Sequence, residues 1–597
     1  MSQRGARGAL AYLRPYFANH QREYILGAGS VILYVALFAA GPPLFGWALS
    51  AVLQGLGTEV ILGRVAWFVL VALASACVRF FSRTFLFNTA RSIEYELRND
   101  LFVHLQKLPQ AFYFDWPTGD LMSRCVNDLN SIRLMLGVGI VNILQAPFLY
   151  LASIAVMISL NPTLTLLSLT PFPLFILLAR GFGRVNHAAN LAVQEGLGRL
   201  SNQVQESISG IALVKAYAME GATQRKFESA TESLYRRHVR LVRVSSAIPT
   251  MARLLPGLTM WIVLWFGGRA VQGGQMDVAE FFVFALYIHQ LTFPTVIIGW
   301  VFAIVQRGTA SIERIQEVLD TEPSIKSRIG ASSPAAFSGE IAFQNLNFSY
   351  TGEEKSLVLK DINLDVPAGS VLGITGPVGS GKTTLVSLIP RLFKVSDGMV
   401  SLDGVDLNEW DLSDLRKNIA MVPQDPFLFS MSVADNISYG SPNSGMEEIS
   451  RAASAARLMG DIDELPRRFA TVVGERGVML SGGQRQRTAL ARALALRRPI
   501  LILDDTLSAV DSQTESAIQG ELGSLYKGKT VIVVSHRVSS LKDADQIIVL
   551  IDGAISEQGV HDELAAGGGW YSRMVRAQAL EDEIQLLDGA GGEVSDG

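Results

Sequence analysis

Six apolar stretches fill the first half of the chain: Tyr24–Leu49, Val60–Thr89, Gly137–Leu160, Leu164–Gly183, Ala247–Val271 and Glu280–Val305. Each approaches the roughly 20 residues that an α-helix needs to cross about 30 Å of hydrocarbon. In open lipid only a helix satisfies every backbone N–H and C=O within one segment. Residues 1–320 therefore read as an all-α membrane domain of six transmembrane helices. Composition agrees: 49% of the 597 residues are hydrophobic and mean hydropathy is +0.28, too apolar for an ordinary soluble protein. A net charge of −4 gives no ground for a nucleic-acid partner. The bilayer is the expected environment.

The connections are unequal. Asn161-Pro162 and the Gly-rich stretch Gly267–Asp277 are short turns. Arg91–Leu136 and Arg184–Ser246 are long, polar and helical in pattern, and they carry Arg91, Arg98, Arg124, Arg133, Lys215, Arg225, Lys226, Arg236, Arg237 and Arg240. Basic loops stay on the cytoplasmic side, which places both chain ends inside as well. Helices continuing for about 20 residues past the membrane would reach roughly 30 Å into the cytosol. Met1–Tyr24 is basic and lacks the short apolar core and small-residue cleavage site of a signal peptide, so it reads as retained. Leu10, Leu13 and Phe17 beside Arg7 and Arg14 suggest an amphipathic helix lying on the inner membrane surface. Cys77 and Cys125 form neither metal spacing nor a disulfide framework, as suits a reducing cytosol. Arg79 and Arg83 share a helix face, and Gln145, Arg253, His289 and Gln290 also interrupt spans. Such residues are functional candidates by default, but snorkelling or interhelical contact is the favoured reading of Arg79, Arg83 and Arg253. Trp261, Trp265, Phe281, Phe284 and Tyr287 read as packing or lipid-facing side chains before cavity lining.

Thr321–Ser338 turns Ser-, Pro- and Ala-rich and loses periodicity, so a linker is placed at 321–338. Beyond it, Val371-Leu372-Gly373-Ile374 is a short β run feeding Gly376-Pro377-Val378-Gly379-Ser380-Gly381-Lys382-Thr383. This is the phosphate-loop pattern with a strand before it and a helix after it. Backbone N–H groups freed by Gly376, Gly379, Ser380 and Gly381 can close around phosphate oxygens, and the helix N-terminus adds its dipole. Lys382 is expected on the β- and γ-phosphates of ATP, Thr383 on Mg²⁺, and Thr384 beside them. Leu501-Ile502-Leu503-Asp504 is an apolar strand ending in a carboxylate fit to hold Mg²⁺. The expected fold is thus a membrane six-helix domain followed by an α/β P-loop nucleotide-binding domain at 339–579. The acidic, Gly-rich tail 580–597 reads as disordered.

Leu480-Ser481-Gly482-Gly483-Gln484 resembles the signature sequence of ATP-binding-cassette (ABC) exporters. The resemblance covers nearly the whole chain, in the type-I exporter order. It implies that Ser481, Gly482, Gly483 and Gln484 form a second phosphate cradle, which closes over ATP on a partner's phosphate loop. Two chains are then required. Tyr350 resembles the aromatic that stacks on adenine. Gln424 resembles the glutamine that senses Mg²⁺ and γ-phosphate, and His536 the switch histidine. Ser508-Ala509-Val510-Asp511 resembles the loop communicating across the dimer, and Gly474-Glu475-Arg476-Gly477 an exporter-specific segment contacting the cytoplasmic loops. Phe112–Gly119 and Ser209–Tyr217 would be coupling helices docking on cassettes.

One residue departs from the pattern. Where the family has glutamate after the Walker-B aspartate, this chain has Asp505, a carboxylate one carbon–carbon bond short. A displacement near 1 Å at a reacting centre costs on the order of a hundredfold in rate. The reading favoured over a homodimer is the degenerate half of a bacterial heterodimeric multidrug exporter in the inner membrane, an ATPase-coupled translocase whose intact signature serves a second half-transporter. The implied substrate is a lipophilic or amphipathic small molecule. A homodimeric lipid flippase is the near alternative, and an ATP-gated channel or regulator the distant one.

Overall fold

The computed structural model of the chain describes residues 11–331, 337–350, 356–474, 477, 479–508, 510 and 512–591. Contacts divide these into two compact units, residues 11–105 with 119–321, and residues 106–118 with 322–591.

The first unit is helical. Among the described residues, six helices are long and apolar enough to cross a membrane: α1 Gln21–Leu53, α2 Thr58–Lys107, α3 Thr118–Leu160, α4 Pro162–Ser209, α5 Leu254–Gln272 and α6 Val278–Leu319. Turn chemistry sets their starts. Asn161 Oδ1 accepts from Leu164 N–H at 2.9 Å, and Asp277 with Glu280 forms a reciprocal capping box on α6.

Helix α1 breaks at Ala40 before Pro42 and Pro43. Neither proline has an N–H, so the carbonyls of Phe38 and Ala39 lose their helical donors. Both are satisfied from α6: the buried Tyr287 hydroxyl donates to Ala39 O and Gln290 Nε2 donates to Phe38 O at 3.4 Å. Tyr287, expected to be a packing or lipid-facing aromatic, is fully buried and polar in function. The two helices approach closely at Gly46, where a Cβ would lie 2.3 Å from Val283 Cγ2. Arg79 lies over the Tyr34 ring at 5.6 Å, an interhelical cation–π contact that agrees with its bland reading. Arg253 lies just before α5, on the helix Ala247–Ile262 that leads into it, and its side chain is outside the described residues.

Past the apolar zone, α3 and α6 are joined by buried charge. Asp128 accepts from Ser311 Oγ at 2.9 Å and from Arg314. Arg124 donates to Asp120 at 2.9 Å, to Glu317 at 3.1 Å and to Arg314 O. A buried arginine and aspartate persist only because each is multiply bonded. The amino-terminal segment departs from expectation. Leu13 is buried in a cluster with Ile93 and Leu97 and does not face lipid. Tyr16 donates to Asp100 at 2.6 Å and His20 pairs with Glu96 at 2.8 Å. Burial of leucine against a helix removes more apolar surface from water than a frayed amphipathic turn could. Leu10 and Arg7 lie outside the described residues.

The second unit is α/β. Strands β1 Ile341–Phe348, β2 Leu359–Val366, β4 Val400–Leu402 and β5 Val405–Asp406 form an antiparallel sheet in the order β2-β1-β4-β5. A six-stranded sheet runs β10-β9-β3-β8-β7-β6, from β3 Val371–Thr375, β6 Ile419–Val422, β7 Ile500–Asp504, β8 Thr530–Val534, β9 Gln546–Ile551 and β10 Ala554–Gly559. The five strands from β9 to the edge strand β6 pair in parallel. Every residue of β7 and β8 is buried, as a sheet covered on both faces requires. The covering helices include α7 Lys382–Leu388, α8 Gly482–Ala495, α9 Ser512–Leu525 and α10 Trp570–Gly591. The start of this sheet pair is pinned by Asp403, which accepts from the N–H groups of Ser338, Gly339 and Glu340. The tail from Leu580, expected to lack order, continues α10 as far as Gly591. Leu580, Glu581, Glu583, Gln585, Leu586 and Leu587 have high helix propensity, which outweighs the acidic, Gly-rich signal. Residues 592–597 lie outside the described residues.

Candidate functional site

The site lies where β3, β7 and β8 end side by side, the place at which open parallel sheets bind ligands. From β3 the chain turns at Gly376, whose φ is +139°. A Cβ there would lie 2.1 Å from Leu550 O, so only glycine fits. The loop passes Gly379 (φ +82°) and Gly381 (φ +98°) and enters α7 at Lys382. Ser380 N–H donates to Pro377 O at 3.3 Å, and the loop ends at a helix start, whose dipole favours an anion.

Lys382 is buried, and Nζ donates to the carbonyls of Gly376 at 2.9 Å and Pro377 at 2.8 Å. Burial lowers its pKa, against which Asp505 and Asp504 act. Thr383 Oγ1 donates to Asp504 Oδ1 at 3.2 Å. Asp504 is 1% exposed, and burial raises its carboxyl above the usual range. Among the described residues its Oδ2 is buried without a hydrogen-bond partner, as are Ser380 Oγ and Thr506 Oγ1. Unsatisfied polar atoms of this kind cost free energy unless a ligand completes them. A cation on the Asp504–Thr383 edge and an anion in the loop would complete them, and the donor set fits both.

Asp505 has φ +45°, a conformation that aspartate tolerates better than most residues. Its N–H donates to Val534 O at 2.9 Å. Gln424 Nε2 approaches Asp505 Oδ2 at 3.5 Å. Burial lowers the pKa of His536, and the nearby Lys382 lowers it further, so the imidazole is held toward its neutral form. Tyr350 stands half exposed, with its hydroxyl 2.8 Å from Thr384 Oγ1. Its ring meets Phe393 edge-on at 5.0 Å and Phe114, from the 106–118 segment, at 6.3 Å. The short helix Phe112–Asp115 thus packs in the same unit as the cassette.

The expected residues Gly376 to Thr384, Gln424, Asp504, Asp505 and Tyr350 therefore meet, and His536 lies within electrostatic reach of Lys382 and Asp505. Ser481 to Gln484 do not join them. Ser481 Oγ accepts from Gln484 N–H at 3.2 Å, Gln484 Oε1 accepts from Ser481 N–H at 2.9 Å, and Gln484 Nε2 donates to Asp461 at 3.1 Å. Among the described residues, no hydrogen bond from this cradle reaches the phosphate loop. Asp511, Ala509, Glu475 and Arg476 lie outside the described residues.

Several linking residues carry no sequence signal of their own role. Gln486, buried on α8, donates to Ser508 Oγ at 3.0 Å, and Ser508 Oγ donates to Asp505 O at 3.0 Å. Arg537 pairs with the buried Glu515 and donates to Val510 O at 3.2 Å and Ser508 O at 3.3 Å. Gln578, on α10, bonds to the backbone on either side of Arg537.

Residues 25–295 match the ABC transporter transmembrane region, and residues 359–508 match the ABC transporter family. The multidrug resistance-like ATP-binding protein MdlA of Escherichia coli is 35% identical over 574 residues, 96% of this chain and 97% of that one. An ATP-dependent lipid A-core flippase of Desulfotalea psychrophila is 35% identical over 488 residues, 82% of this chain and 85% of that one. A solved bacterial Atm1-family ABC exporter with ATP bound superposes with a TM-score of 0.76 at 26% identity, covering 95% of this chain and 100% of that one.

Proposed function

This chain belongs to the ABC transporters as an exporter half-transporter, with a membrane region joined to an ATP-binding cassette, and we propose that it expels a lipophilic or amphipathic small molecule by alternating access. The observation that carries the reading is the join itself. A phosphate loop facing the buried Asp504 carboxylate at the end of β7 belongs to one polypeptide with six apolar helices. The MdlA-like relatives carry multidrug names and others are lipid flippases, which supports a greasy cargo. The basic loops support a cassette in the cytoplasm of a bacterium, with the spans in its inner membrane.

In this reading Lys382 takes the β- and γ-phosphates, Thr383, Asp504 and Gln424 hold Mg²⁺, Tyr350 stacks on adenine and His536 meets the γ-phosphate. Bound MgATP supplies the phosphoanhydride whose hydrolysis resets the cycle. Ser481 to Gln484 and Asp511 serve the nucleotide of a second half-transporter. Two observations support a second chain. The signature cradle is built and capped, and among the described residues it makes no hydrogen bond to its own phosphate loop. The helix Ile211–Ala216 leaves Leu213 and the following Tyr217 64% and 72% exposed, apolar surface suited to a second cassette. Closure by ATP requires that nucleotide favour the closed state by several kcal/mol, because a ligand shifts an equilibrium only by its differential affinity.

Asp505 supports reading this chain as the slow site of an unlike pair. Its carboxylate sits on the strand end beside Gln424, but one methylene back from where a water-orienting glutamate would act. The test is ATP-dependent uptake of a lipophilic fluorophore or labelled lipid into inside-out vesicles, with Lys382→Ala as the inactive control. Native mass spectrometry of the extracted complex identifies the second subunit. ATP-gated conductance without uptake would overturn the export reading. A stable complex of two identical chains with full turnover would overturn the unlike pair.

A further inference from the structure

The switch-histidine loop leaves the sheet at Val534, so the backbone groups of His536, Arg537 and Val538 have left the strand ladder. Arg537 N–H finds Ser535 Oγ at 3.0 Å. The groups on either side of it are satisfied by one side chain. Gln578 Nε2 donates to His536 O at 2.6 Å, and Gln578 Oε1 accepts from Val538 N–H at 2.8 Å. A primary amide offers one donor edge and one acceptor edge side by side; a carboxylate lacks the donor, and an ammonium lacks the acceptor.

The residue is carried on a helix that is itself fixed. Tyr571 of α10 is 0% exposed within the cassette core, and its hydroxyl meets His561 Nδ1 at 2.9 Å. Met574 Sδ accepts from Thr375 Oγ1 at 3.7 Å, at the residue before the phosphate loop. Tyr571, Met574 and Gln578 recur at spacings of three and four, so they share one helix face. The opposite edge of the same loop is held by Arg537, through Glu515, Val510 and Ser508. Unlike Arg537, Gln578 binds the backbone carbonyl of the histidine itself.

We propose that Gln578 is a positioning residue for His536, its amide closing across Arg537 to fix the direction in which the imidazole is presented to nucleotide. The inference rests on the reading of His536 as the γ-phosphate group. It makes the carboxy-terminal helix part of the ATP site, although none of its side chains would touch ATP.

The experiment uses the full-length chain in nanodiscs, in the Asp505→Glu background so that turnover reports on this chain's own site. Gln578→Leu, Gln578→Glu, His536→Ala and the Gln578→Leu/His536→Ala pair are compared. Hydrogen exchange is followed in the peptide covering residues 535–540, and kcat and KM are measured for MgATP. Loss of a hydrogen bond worth about 1 kcal/mol predicts roughly fivefold to tenfold faster exchange at the Val538 amide in Gln578→Leu. Its kcat falls by a similar factor with KM within about twofold, and Gln578→Glu, which keeps the Val538 acceptor, lies between. The paired variant is no slower than His536→Ala alone, because residues acting as one unit are not additive. Unchanged exchange at Val538 would overturn the proposal. So would an equal further loss on top of His536→Ala, which would make Gln578 a general structural support. If His536→Ala leaves kcat unchanged, the γ-phosphate role falls, and the exchange result still decides whether Gln578 holds the loop.

Discussion

Replacing Asp505 by glutamate tests the geometry of the ATP site most directly. The change adds one carbon–carbon bond of about 1.5 Å to the side chain. Gln424 Nε2 and Asp505 Oδ2 are 3.5 Å apart, a long contact that a longer side chain can close without displacing the glutamine. A carboxylate misplaced by about 1 Å loses on the order of a hundredfold in rate, or roughly 2.7 kcal/mol of barrier. Against this stands the backbone: position 505 has φ +45°, where glutamate is less at ease than aspartate by a cost of up to about 1 kcal/mol. That cost falls on the stability of the loop and only partly on the barrier. Net acceleration of tenfold to a hundredfold is therefore expected, on the order of 1.4–2.7 kcal/mol. Steady-state phosphate release by the full-length chain in nanodiscs measures it, with Asp505→Asn as the zero. If Asp505→Glu stays within twofold of the wild type while Asp505→Asn falls more than tenfold, the aspartate already reaches the water and the argument from length is wrong.

Three further outcomes follow from the same site. Gly376→Ala places a Cβ 2.1 Å from the Leu550 backbone at φ +139°; a loss of more than about 3 kcal/mol is expected, seen as failure of the chain to accumulate in folded form. Asp504→Asn removes a buried carboxylate whose pKa is raised, so nucleotide-free protein gains stability at neutral pH while Mg²⁺-dependent hydrolysis is lost; the gain shrinks as pH falls through the raised pKa, and thermal unfolding across pH with and without MgATP reads both. His536 has a folded pKa below its ordinary 6.5, so its contribution to stability is complete above pH 6.5 and declines as pH drops toward the depressed value; a His536→Gln variant should lack that component of the acid slope.

The strongest elements were legible because their signals are local. Six apolar runs announce six helices, and a strand followed by Gly376 to Thr383 announces a phosphate loop. The cytoplasmic extension of a span was legible too: helix α2 runs to Lys107, past the apolar stretch that ends at Thr89, as the helical pattern of the polar stretch from Arg91 leads one to expect. The bonds that decide particular side chains were hidden by distance along the chain. Tyr287 meets Ala39 across 248 positions, and Arg124 meets Glu317 across 193. The prolines at 42 and 43 do create orphan carbonyls that sequence alone can anticipate, but nothing local says which helix supplies the donors. Gln578 lay beside a tail whose glycines and acids masked a helix with strong propensity.

Helix α2 differs from its neighbours in having no proline along its 50 residues, whereas Pro147, Pro256 and Pro294 interrupt the hydrogen-bond ladders of α3, α5 and α6. Flexure concentrates at prolines and spares an uninterrupted ladder. Helix α2 therefore behaves as a strut roughly 75 Å long, and tilting it by about 5° carries the far end roughly 6 Å. Its proline-bearing neighbours can absorb a push by bending; this strut can only pivot, and so delivers the push to its opposite tip undiminished.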